Sequence, residues 1–309
     1  MTSSSHISAS VPAPASTGPA PPTVVEDVFG QAQRDPGRVA FLRKDGERWR
    51  SVSVGRFVHD VRAAAAGLIA LGIRPADRIG LIASTSYHWV VCDYAILAAG
   101  AVTVPIYETS SRRQITRILD DSAARAVFAG DEQLADVVAD TAPLHVRHIF
   151  VIHDEGLARL AAHARSVPAN DVDQHRFVAP DAMATIVYTS GTTGESKGCV
   201  LSHANLAAEA DGVVRVPGVR EHVLTPDASV LMCLPLAHVL ARAVVLAAVH
   251  AGCPVALTGD PARSAGHAQR QPLPARHPRR RGRRGLVRPD PAGRRAYRRA
   301  DRRRDGPGA

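Results

Sequence analysis

The chain has 309 residues, 45% of them hydrophobic, and carries a formal net charge of +9 with an isoelectric point near 10.1. Residues 264–309 hold 15 Arg and 3 Asp, whereas residues 1–263 hold 23 Lys plus Arg and 26 Asp plus Glu. Length and apolar content fit a globular protein of one large domain or two. Because the basic character belongs to 46 residues alone, the net charge gives no reason to assign the whole chain a nucleic-acid or membrane partner.

The cysteine content favours a reducing compartment, and we predict a cytoplasmic protein. No C-x-x-C pair occurs, which argues against both a disulfide framework and a zinc site. Residues 1–23 lack a basic segment followed by an apolar one, so they do not resemble a secretory signal. The four cysteines are Cys92, Cys199, Cys233 and Cys253.

Two long apolar stretches, 89–106 and 239–257, read better as buried helix–strand units than as membrane spans. Asp93 interrupts the first stretch, and Arg242 and His250 interrupt the second. We therefore expect a protein without a membrane span, although a peripheral contact with a membrane that holds the substrate is compatible with this composition.

The composition divides the chain into three parts. Residues 1–23 are rich in Ser, Ala, Pro and Thr, and they bury too little apolar surface to offset the entropy of ordering, so we predict a disordered leader. Residues 24–262 should form the folded part. Residues 263–309 are dominated by Arg, Pro, Gly and Ala without a hydrophobic period, and we predict disorder there as well.

From Val24 onward, helical and strand patterns alternate in chain order. Helices are predicted at 57–71, 86–99, 112–122, 131–140 and 238–250, and strands at 78–83, 102–104, 125–129, 148–152, 183–188, 230–234 and 255–257. Pro105 should end the strand at 102–104, and residues 153–180 are polar and less regular. The alternation predicts an α/β fold in which parallel-rich sheets are flanked by helices on both faces.

The most informative stretch follows the strand at 183–188. From Tyr188 to Gly198 the sequence reads YTSGTTGESKG. Glycines let backbone N–H groups converge on an anion without obstruction by a side chain. Lys197 adds a mobile positive charge. Four hydroxyl side chains can donate to phosphate oxygens, and the pattern therefore predicts a phosphate-binding loop: Thr189, Ser190, Thr192 and Thr193.

This loop is neither a Walker A loop nor a dinucleotide fingerprint. No glycine stands immediately before Lys197, and the pattern G-x-G-x-x-G is absent. The alternative is an ordinary surface loop of Ser, Thr and Gly between a strand and a helix. The density of specified positions, with a lysine at a fixed offset, favours the phosphate site.

The stretch from Tyr188 to Gly198 resembles the signature of the AMP-forming adenylate-forming superfamily, which includes acyl- and aryl-CoA synthetases, luciferases and nonribosomal adenylation domains. Three further segments resemble long-chain fatty acid–CoA ligases, especially actinobacterial ones: DYAILAAGAVTVPIYETSS at 93–111, GCVLSH at 198–203 and LPLAHV at 234–239. The resemblance covers residues 24–262, and it implies an incomplete form of the family's large N-terminal domain.

The resemblance implies an AMP-forming acid–thiol ligase whose substrates are a fatty acid, ATP and coenzyme A. The carboxylate attacks the α-phosphate of ATP and pyrophosphate leaves; the thiol of coenzyme A then attacks the acyl-adenylate and AMP leaves. It also implies Mg²⁺, which the hydroxyl of Thr189 would help to bind. The residues that match the family's β- and γ-phosphate loop are Thr189, Ser190, Gly191, Thr192, Thr193, Gly194 and Lys197.

By the same resemblance, the catalytic positions are Lys197, Thr189 and His238, and His238 matches a position that lines the nucleotide and acyl pocket. The family usually has proline where Ser196 stands, and a serine there should loosen the loop without abolishing its anion contacts. Other interpretations stay open. His238 could be a helix N-terminal residue packed under a strand, and the apolar stripe at 239–249 favours core over acyl-channel lining.

Tyr107 and Glu108 could be plain loop residues, and Arg112 and Arg113 a solvated helix start. None of these four residues is needed for the phosphate-loop hypothesis.

The family's pattern continues beyond the resemblance, with an acidic magnesium ligand, a ribose-binding aspartate and a second lysine that we do not find. The chain has only two lysines, Lys44 and Lys197. Because Arg, Pro, Gly and Ala have GC-rich codons, we hypothesise that residues from 263 onward are a frameshifted translation. The gene, read in its other frames beyond codon 262, tests this directly. This chain alone should then be weak or inactive in full turnover.

Two other functions remain as alternatives. One is adenylation of another carboxylic acid on the same scaffold. The other is salt-dependent, non-specific nucleic-acid binding by the arginine-rich tail. Tyr297 is the only aromatic residue of that tail, which does not support base stacking, so we expect no specific nucleic-acid partner. The sequence does not indicate an oligomeric state.

Overall fold

A computed structural model describes residues 7–8, 22–46, 48–166, 171–190, 196–225 and 227–259. The predicted tail from 263 onward and most of the predicted leader lie outside these residues. Within the leader, Ile7 and Ser8 form a two-residue strand. In the part described, no helix combines the length and the apolar character that a membrane span would need.

The helices and strands alternate along most of the chain. The strands are β1 (Ile7–Ser8), β2 (Val39–Asp45), β3 (Arg48–Ser53), β4 (Arg78–Ile82), β5 (Val102–Ile106), β6 (Ala126–Ala129), β7 (His148–Val151), β8 (Met183–Ser190), β9 (Ser196–Ser202), β10 (Val230–Met232) and β11 (Val255–Leu257). The helices are α1 (Val24–Arg34), α2 (Val54–Ala70), α3 (Tyr87–Ala98), α4 (Arg112–Asp121), α5 (Glu132–Thr141), α6 (Asp154–Ala162), α7 (Asp171–Arg176), α8 (His203–Arg215) and α9 (Val239–Ala251). A 3₁₀-helix covers His163–Ser166 and a π-helix covers Val219–Val223.

These strands form two sheets. The larger has the order β1-β9-β8-β5-β4-β6-β7, and its neighbours are parallel except for the antiparallel pair β8–β9. The smaller has the order β10-β11-β2-β3 and is parallel except for the pair β2–β3. The α/β prediction with parallel-rich sheets is confirmed.

The two faces of the larger sheet are covered by two separate apolar clusters. The larger cluster includes Phe57, Trp89 and Leu97, and the smaller includes Ile115 and Val127. Helix α3, whose sequence is apolar all round, is buried on nearly every side. This layering leaves the ends of the strands for loops, and the candidate site lies at such an edge.

One sequence prediction of local structure was wrong, and two parts of the fold were not predicted. Pro105 lies inside β5 rather than after it, because the pairing with β4 continues through it, with Leu81 opposite Pro105 and Ile82 opposite Ile106. The stretch 153–180 holds α6 and α7. The hairpin of β2 and β3 was not predicted, since the exposed, charged residues of β3 give it no apolar period.

Candidate active site

The predicted phosphate loop joins the two strands of a hairpin. β8 and β9 pair antiparallel, with Thr189 opposite Lys197 and Ser190 opposite Ser196. The element after the loop is therefore a strand, and the helix α8 begins only at His203; the alternative of a strand–helix loop was wrong on this point. Four predicted loop residues, as well as the side chain of Ser190, lie outside the described residues: Gly191, Thr192, Thr193 and Gly194.

The hairpin points its two described polar groups to one side. Cross-strand partners share a face of a sheet, so Thr189 and Lys197 project together, and both are exposed. Thr185 on β8 and Leu201 on β9 lie on the same face because side chains alternate with a period of two. The structure thus brings the predicted hydroxyl and the predicted lysine side by side at the mouth of the loop.

The loop opens at the edge where parallel strands end. β8 runs parallel to β5, which runs parallel to β4, so the loop lies at the edge that also carries the carboxyl ends of those strands. Ligands in α/β folds bind at this edge. Thr85, just after β4, donates a hydrogen bond from Oγ1 to the carbonyl oxygen of Leu234 (2.6 Å) and accepts one from the N–H of Leu236 (3.2 Å). This contact brings the segment before His238 to the same edge.

His238 is the N-cap of α9. Its Nδ1 accepts a hydrogen bond from the N–H of Leu240 at 3.2 Å, and its ring is exposed. The alternative for His238 was right in placing it at a helix N-terminus and wrong in packing it under a strand. The cap satisfies one of the free N–H groups at the start of a helix, which fixes the ring at the sheet edge.

A groove of about 510 Å³ lies between α8 and α9. Val239 and Leu240, next to His238, are 47% and 60% exposed and form its outer part. Leu201 also lines it, four residues from Lys197 on the same face of β9, or roughly 13 Å along the strand. Its lining is mainly apolar: Leu201, Leu206, Val239, Leu240, Ala243 and Leu246. The apolar stripe at 239–249 is therefore divided, with part lining the groove and Ala247, Ala248 and Val249 in the core.

A buried polar network lies under this groove. Arg242 donates from Nε and Nη2 to the carboxylate of Asp93 (2.9 and 2.7 Å) and from Nη1 to Oγ1 of Thr185 (2.8 Å). Thr103 donates to Asp93 at 2.8 Å. Sequence reasoning noted Arg242 and Asp93 only as interruptions of apolar stretches; a charged residue in each of two such stretches was the signal for a buried pair.

The other candidates have ordinary surroundings. Tyr107 and Glu108 follow β5 as exposed residues, and Arg112 and Arg113 are exposed in the first turn of α4. Arg112 pairs with Asp140 at 3.1 Å. Their interpretation as loop and solvated helix start agrees with these positions.

The described residues do not form a complete magnesium site. Thr189 offers one neutral hydroxyl, whereas Mg²⁺ in proteins is usually held by one or two carboxylates together with substrate phosphates. No group of three His, Cys, Asp or Glu side chains suited to a metal occurs in the ranges described. Among the described residues, Thr189 is therefore not part of a group of side chains that could hold Mg²⁺, and its predicted role in binding the ion stays a prediction.

Comparison with known proteins decides the family. The family model described as "AMP-binding enzyme" matches residues 28–270, which is more than half of the chain. The chain belongs to the AMP-binding enzyme family. Its sequence is 40% identical over 258 residues to the long-chain-fatty-acid–CoA ligase FadD15 of Mycobacterium bovis, covering 81% of this chain and 42% of that protein. The resemblance to long-chain fatty acid–CoA ligases is confirmed.

A second relative in the AMP-binding family carries a different acid in its name. The 3-[(3aS,4S,7aS)-7a-methyl-1,5-dioxo-octahydro-1H-inden-4-yl]propanoyl:CoA ligase of Mycobacterium tuberculosis is 36% identical over 57% of this chain and 36% of its own length. Among solved structures, VinN matches with a TM-score of 0.66 at 20% identity, covering 78% of this chain and 60% of that one. This likeness supports the fold alone. The chain spans well under half the length of both curated relatives.

Proposed function

We propose that this chain carries the nucleotide- and acyl-binding part of an ATP-dependent fatty acid–CoA ligase. A carboxylate oxygen of the acid attacks the α-phosphorus of ATP, the bond to the bridging oxygen breaks, and pyrophosphate leaves. The sulfur of coenzyme A then attacks the acyl carbon, and AMP leaves. The single observation that carries the proposal is the hairpin in which Thr189 and Lys197 face each other at the carboxyl edge of the sheet.

In this proposal the hairpin binds and orients the triphosphate. Lys197, whose side chain is exposed, supplies positive charge to the phosphate oxygens. Thr189 and the predicted loop residues add hydroxyl and backbone donors, which stabilise the charge that passes to the leaving pyrophosphate. His238, fixed at the same edge, would line the space between phosphate and acid.

The groove between α8 and α9 would hold the hydrocarbon part of the acid. It begins beside His238, its volume lies within the range of roughly 300–1,000 Å³ typical of small-molecule sites, and its lining is mainly apolar. An acid bound there would have its carboxylate directed to the sheet edge and its chain removed from water. The finer assignment, a long-chain acid, rests on the FadD15 likeness.

The test measures binding of a fluorescent ATP analogue to the 309-residue chain. Lys197→Met should weaken binding at least about tenfold, since a charge-assisted contact to phosphate is worth more than the 1.4 kcal/mol that corresponds to tenfold. The matched control is Lys44→Met, the chain's other lysine, which lies on β2 above the ring of Trp49. Equal affinity of wild type and Lys197→Met would contradict the proposal.

A second candidate is the activation of a bulkier, ring-bearing acid, which the fused-ring propanoyl group in the name of the second relative favours. Displacement of a fluorescent fatty acid from the chain by palmitate, octanoate and benzoate distinguishes the two. We expect palmitate to compete best, and Leu246→Trp, which fills the groove, to weaken palmitate more than octanoate. Preference for benzoate would favour the second candidate.

We also propose that the protein works in the cytoplasm with Mg²⁺ and coenzyme A as reaction partners, touching membranes only peripherally. The absence of disulfides supports a reducing compartment: Cys92, Cys199, Cys233 and Cys253 are all free thiols.

A further inference from the structure

Tyr188 links the phosphate hairpin to a helix on the far side of the sheet. It is the residue just before Thr189, and its hydroxyl donates a hydrogen bond to Oδ2 of Asp121 at 2.6 Å. Asp121 is the last residue of α4. The bond therefore joins the strand that enters the loop to a helix that makes no other predicted contribution to phosphate binding.

The space for this link depends on Gly198. Gly198 lies opposite Tyr188 across the hairpin. A Cβ atom at Gly198 would come within 3.2 Å of Cζ and 3.3 Å of the hydroxyl of Tyr188, and within 2.8 Å of Cγ2 of Ile186. The tyrosine ring thus lies over the bare backbone of the second strand, and one side chain holds both strands of the hairpin against the smaller apolar cluster.

The chemistry of the pair suits a fixed anchor. Burial raises the pKa of Tyr188 above its ordinary value, and the hydrogen bond to Asp121 raises it further. The phenol therefore stays a donor throughout the pH range in which the protein is used. A hydrogen bond to a carboxylate is shorter and stronger than one between neutral groups.

We propose that Asp121 is a positioning residue for the phosphate hairpin and acts through Tyr188. The inference rests on the proposed function of the hairpin. Side chains alternate along β8, so Tyr188 and Thr189 project to opposite faces. Anchoring on the Tyr188 face fixes the start of the loop and leaves Thr189 and Lys197 free to meet phosphate on the other. The carboxylate of Asp121 is likewise kept on the face away from the anionic ligand.

The test uses the full chain and the fluorescent ATP analogue, at a temperature at which circular dichroism reports every variant as folded. Tyr188→Phe removes the donor, Asp121→Ala removes the acceptor, and the double variant removes both. We expect each single variant to weaken binding about fivefold to tenfold. Because both substitutions break the same bond, the double variant should bind the ATP analogue about as well as either single variant. Asp121→Asn, which keeps a neutral acceptor, should fall between Asp121→Ala and wild type.

The matched control is Ile118→Val. It removes one methylene from the buried face of the same helix and leaves the Tyr188–Asp121 bond in place. It should lower the unfolding midpoint while keeping the wild-type affinity for the nucleotide. Equal weakening by Ile118→Val would mean general loosening and would overturn the positioning role.

The two proposals fail in different ways. If Lys197→Met loses affinity while Tyr188→Phe and Asp121→Ala bind like wild type, the positioning role is overturned and the proposed function stands. If the wild-type chain binds no ATP analogue, the proposed function is overturned and the positioning role with it.

Discussion

Arg242 and Asp93 form a buried two-point ion pair, with N–O distances of 2.7 and 2.9 Å, that holds α9 against α3. Arg242 also donates to Thr185 on β8, so the pair joins the helix that lines the groove to a strand of the hairpin that carries Thr189 and Lys197. Both partners are almost fully buried, at 5% and 2% side-chain exposure. The pair therefore lies where a single uncompensated charge could not be solvated.

We predict that either single replacement, Asp93→Asn or Arg242→Met, lowers the free energy of unfolding by about 3–5 kcal/mol, because it leaves the partner charged and unpaired in the core. The double variant should lose much less than the sum of the singles. Urea denaturation of the four proteins measures this. Additive losses would mean that the two charges do not stabilise each other.

Glycine substitutions in two helices should act with opposite signs. A Cβ at Gly67 in α2 would come within 2.3 Å of the carbonyl oxygen of Leu160, whereas a Cβ at Gly212 in α8 would meet nothing within 4 Å. Gly67→Ala should destabilise the chain by about 1–3 kcal/mol or more through overpacking. Gly212→Ala should stabilise it by up to about 1 kcal/mol, as alanine does inside helices. Thermal unfolding of both variants measures these changes in stability. A stabilising Gly67→Ala would show that α6 can move away from α2 without loss of stability.

His250 should stabilise the fold mainly at low pH. Its Nδ1 lies 3.0 Å from Oδ2 of Asp27, and its Nε2 lies 3.8 Å from Oδ1 of Asp211. The hydrogen bond to Asp27 raises the pKa of His250 above 6.5. The charge of Asp211 acts in the same direction, while burial and, to a smaller extent, the charge of Arg220 oppose the shift. Because the raised pKa belongs to the folded state, the stabilisation is complete below pH 6.5 and is lost as pH rises through the folded pKa.

The corresponding measurement compares wild type with His250→Gln in urea at about pH 5.5 and about pH 8.5. The difference in stability should be larger at the lower pH. His59→Gln replaces an exposed histidine on α2 and serves as the control. A difference that does not change with pH would mean that His250 contributes no charge-dependent stabilisation.

His203 should destabilise the fold at low pH, which is the opposite of the effect of His250. It is 1% exposed, and in the described residues neither ring nitrogen finds a hydrogen-bond partner. Burial lowers its pKa to about 4, and the positive charge of Arg242 acts in the same direction. The unfolded chain takes up the proton near pH 6.5 while the folded chain does not, so stability is lost as pH falls from 6.5 toward 4.

His203→Phe should remove this loss of unfolding free energy at acid pH. At neutral pH the substitution should have a smaller, stabilising effect, because it removes two unpaired polar atoms from the core. Unfolding free energies at about pH 7.5 and about pH 5 measure the slope. A variant with the same acid-side slope as wild type would assign the loss to another group.

The apolar period was enough to predict most of the parallel core. The helix at 86–99 and the strands at 183–188 and 255–257 lie within about a residue or two of α3, β8 and β11. The types and spacing of the loop motif also singled out Thr189 and Lys197, which lie opposite each other in the structure, while their binding of phosphate stays a prediction. These elements carry their signal locally, in buried runs and turn residues.

Other features depended on partners that are distant in sequence. β9 was not predicted as a separate strand because its first three residues, 196–198, belong to the loop motif, and it is recognised as a strand through its pairing with β8. The bond between Tyr188 and Asp121 crosses 67 positions, and that between Arg242 and Asp93 crosses 149. A charge inside an apolar stretch signals that a buried partner is needed, as for Arg242 and Asp93, but it does not say which residue the partner is. The partner is set only when the sheet order brings separate elements together.

The hairpin also bears on how the loop can vary in length. Thr189 and Lys197 are held opposite each other by the strand ladder, where facing Cα atoms are about 4.5–5.5 Å apart. Their spacing is therefore set by the sheet and not by the number of residues between Ser190 and Ser196. Insertions or deletions between Ser190 and Ser196 would therefore leave the backbone spacing of Thr189 and Lys197 unchanged. Loop length and the backbone spacing of these two residues can thus be engineered as separate variables.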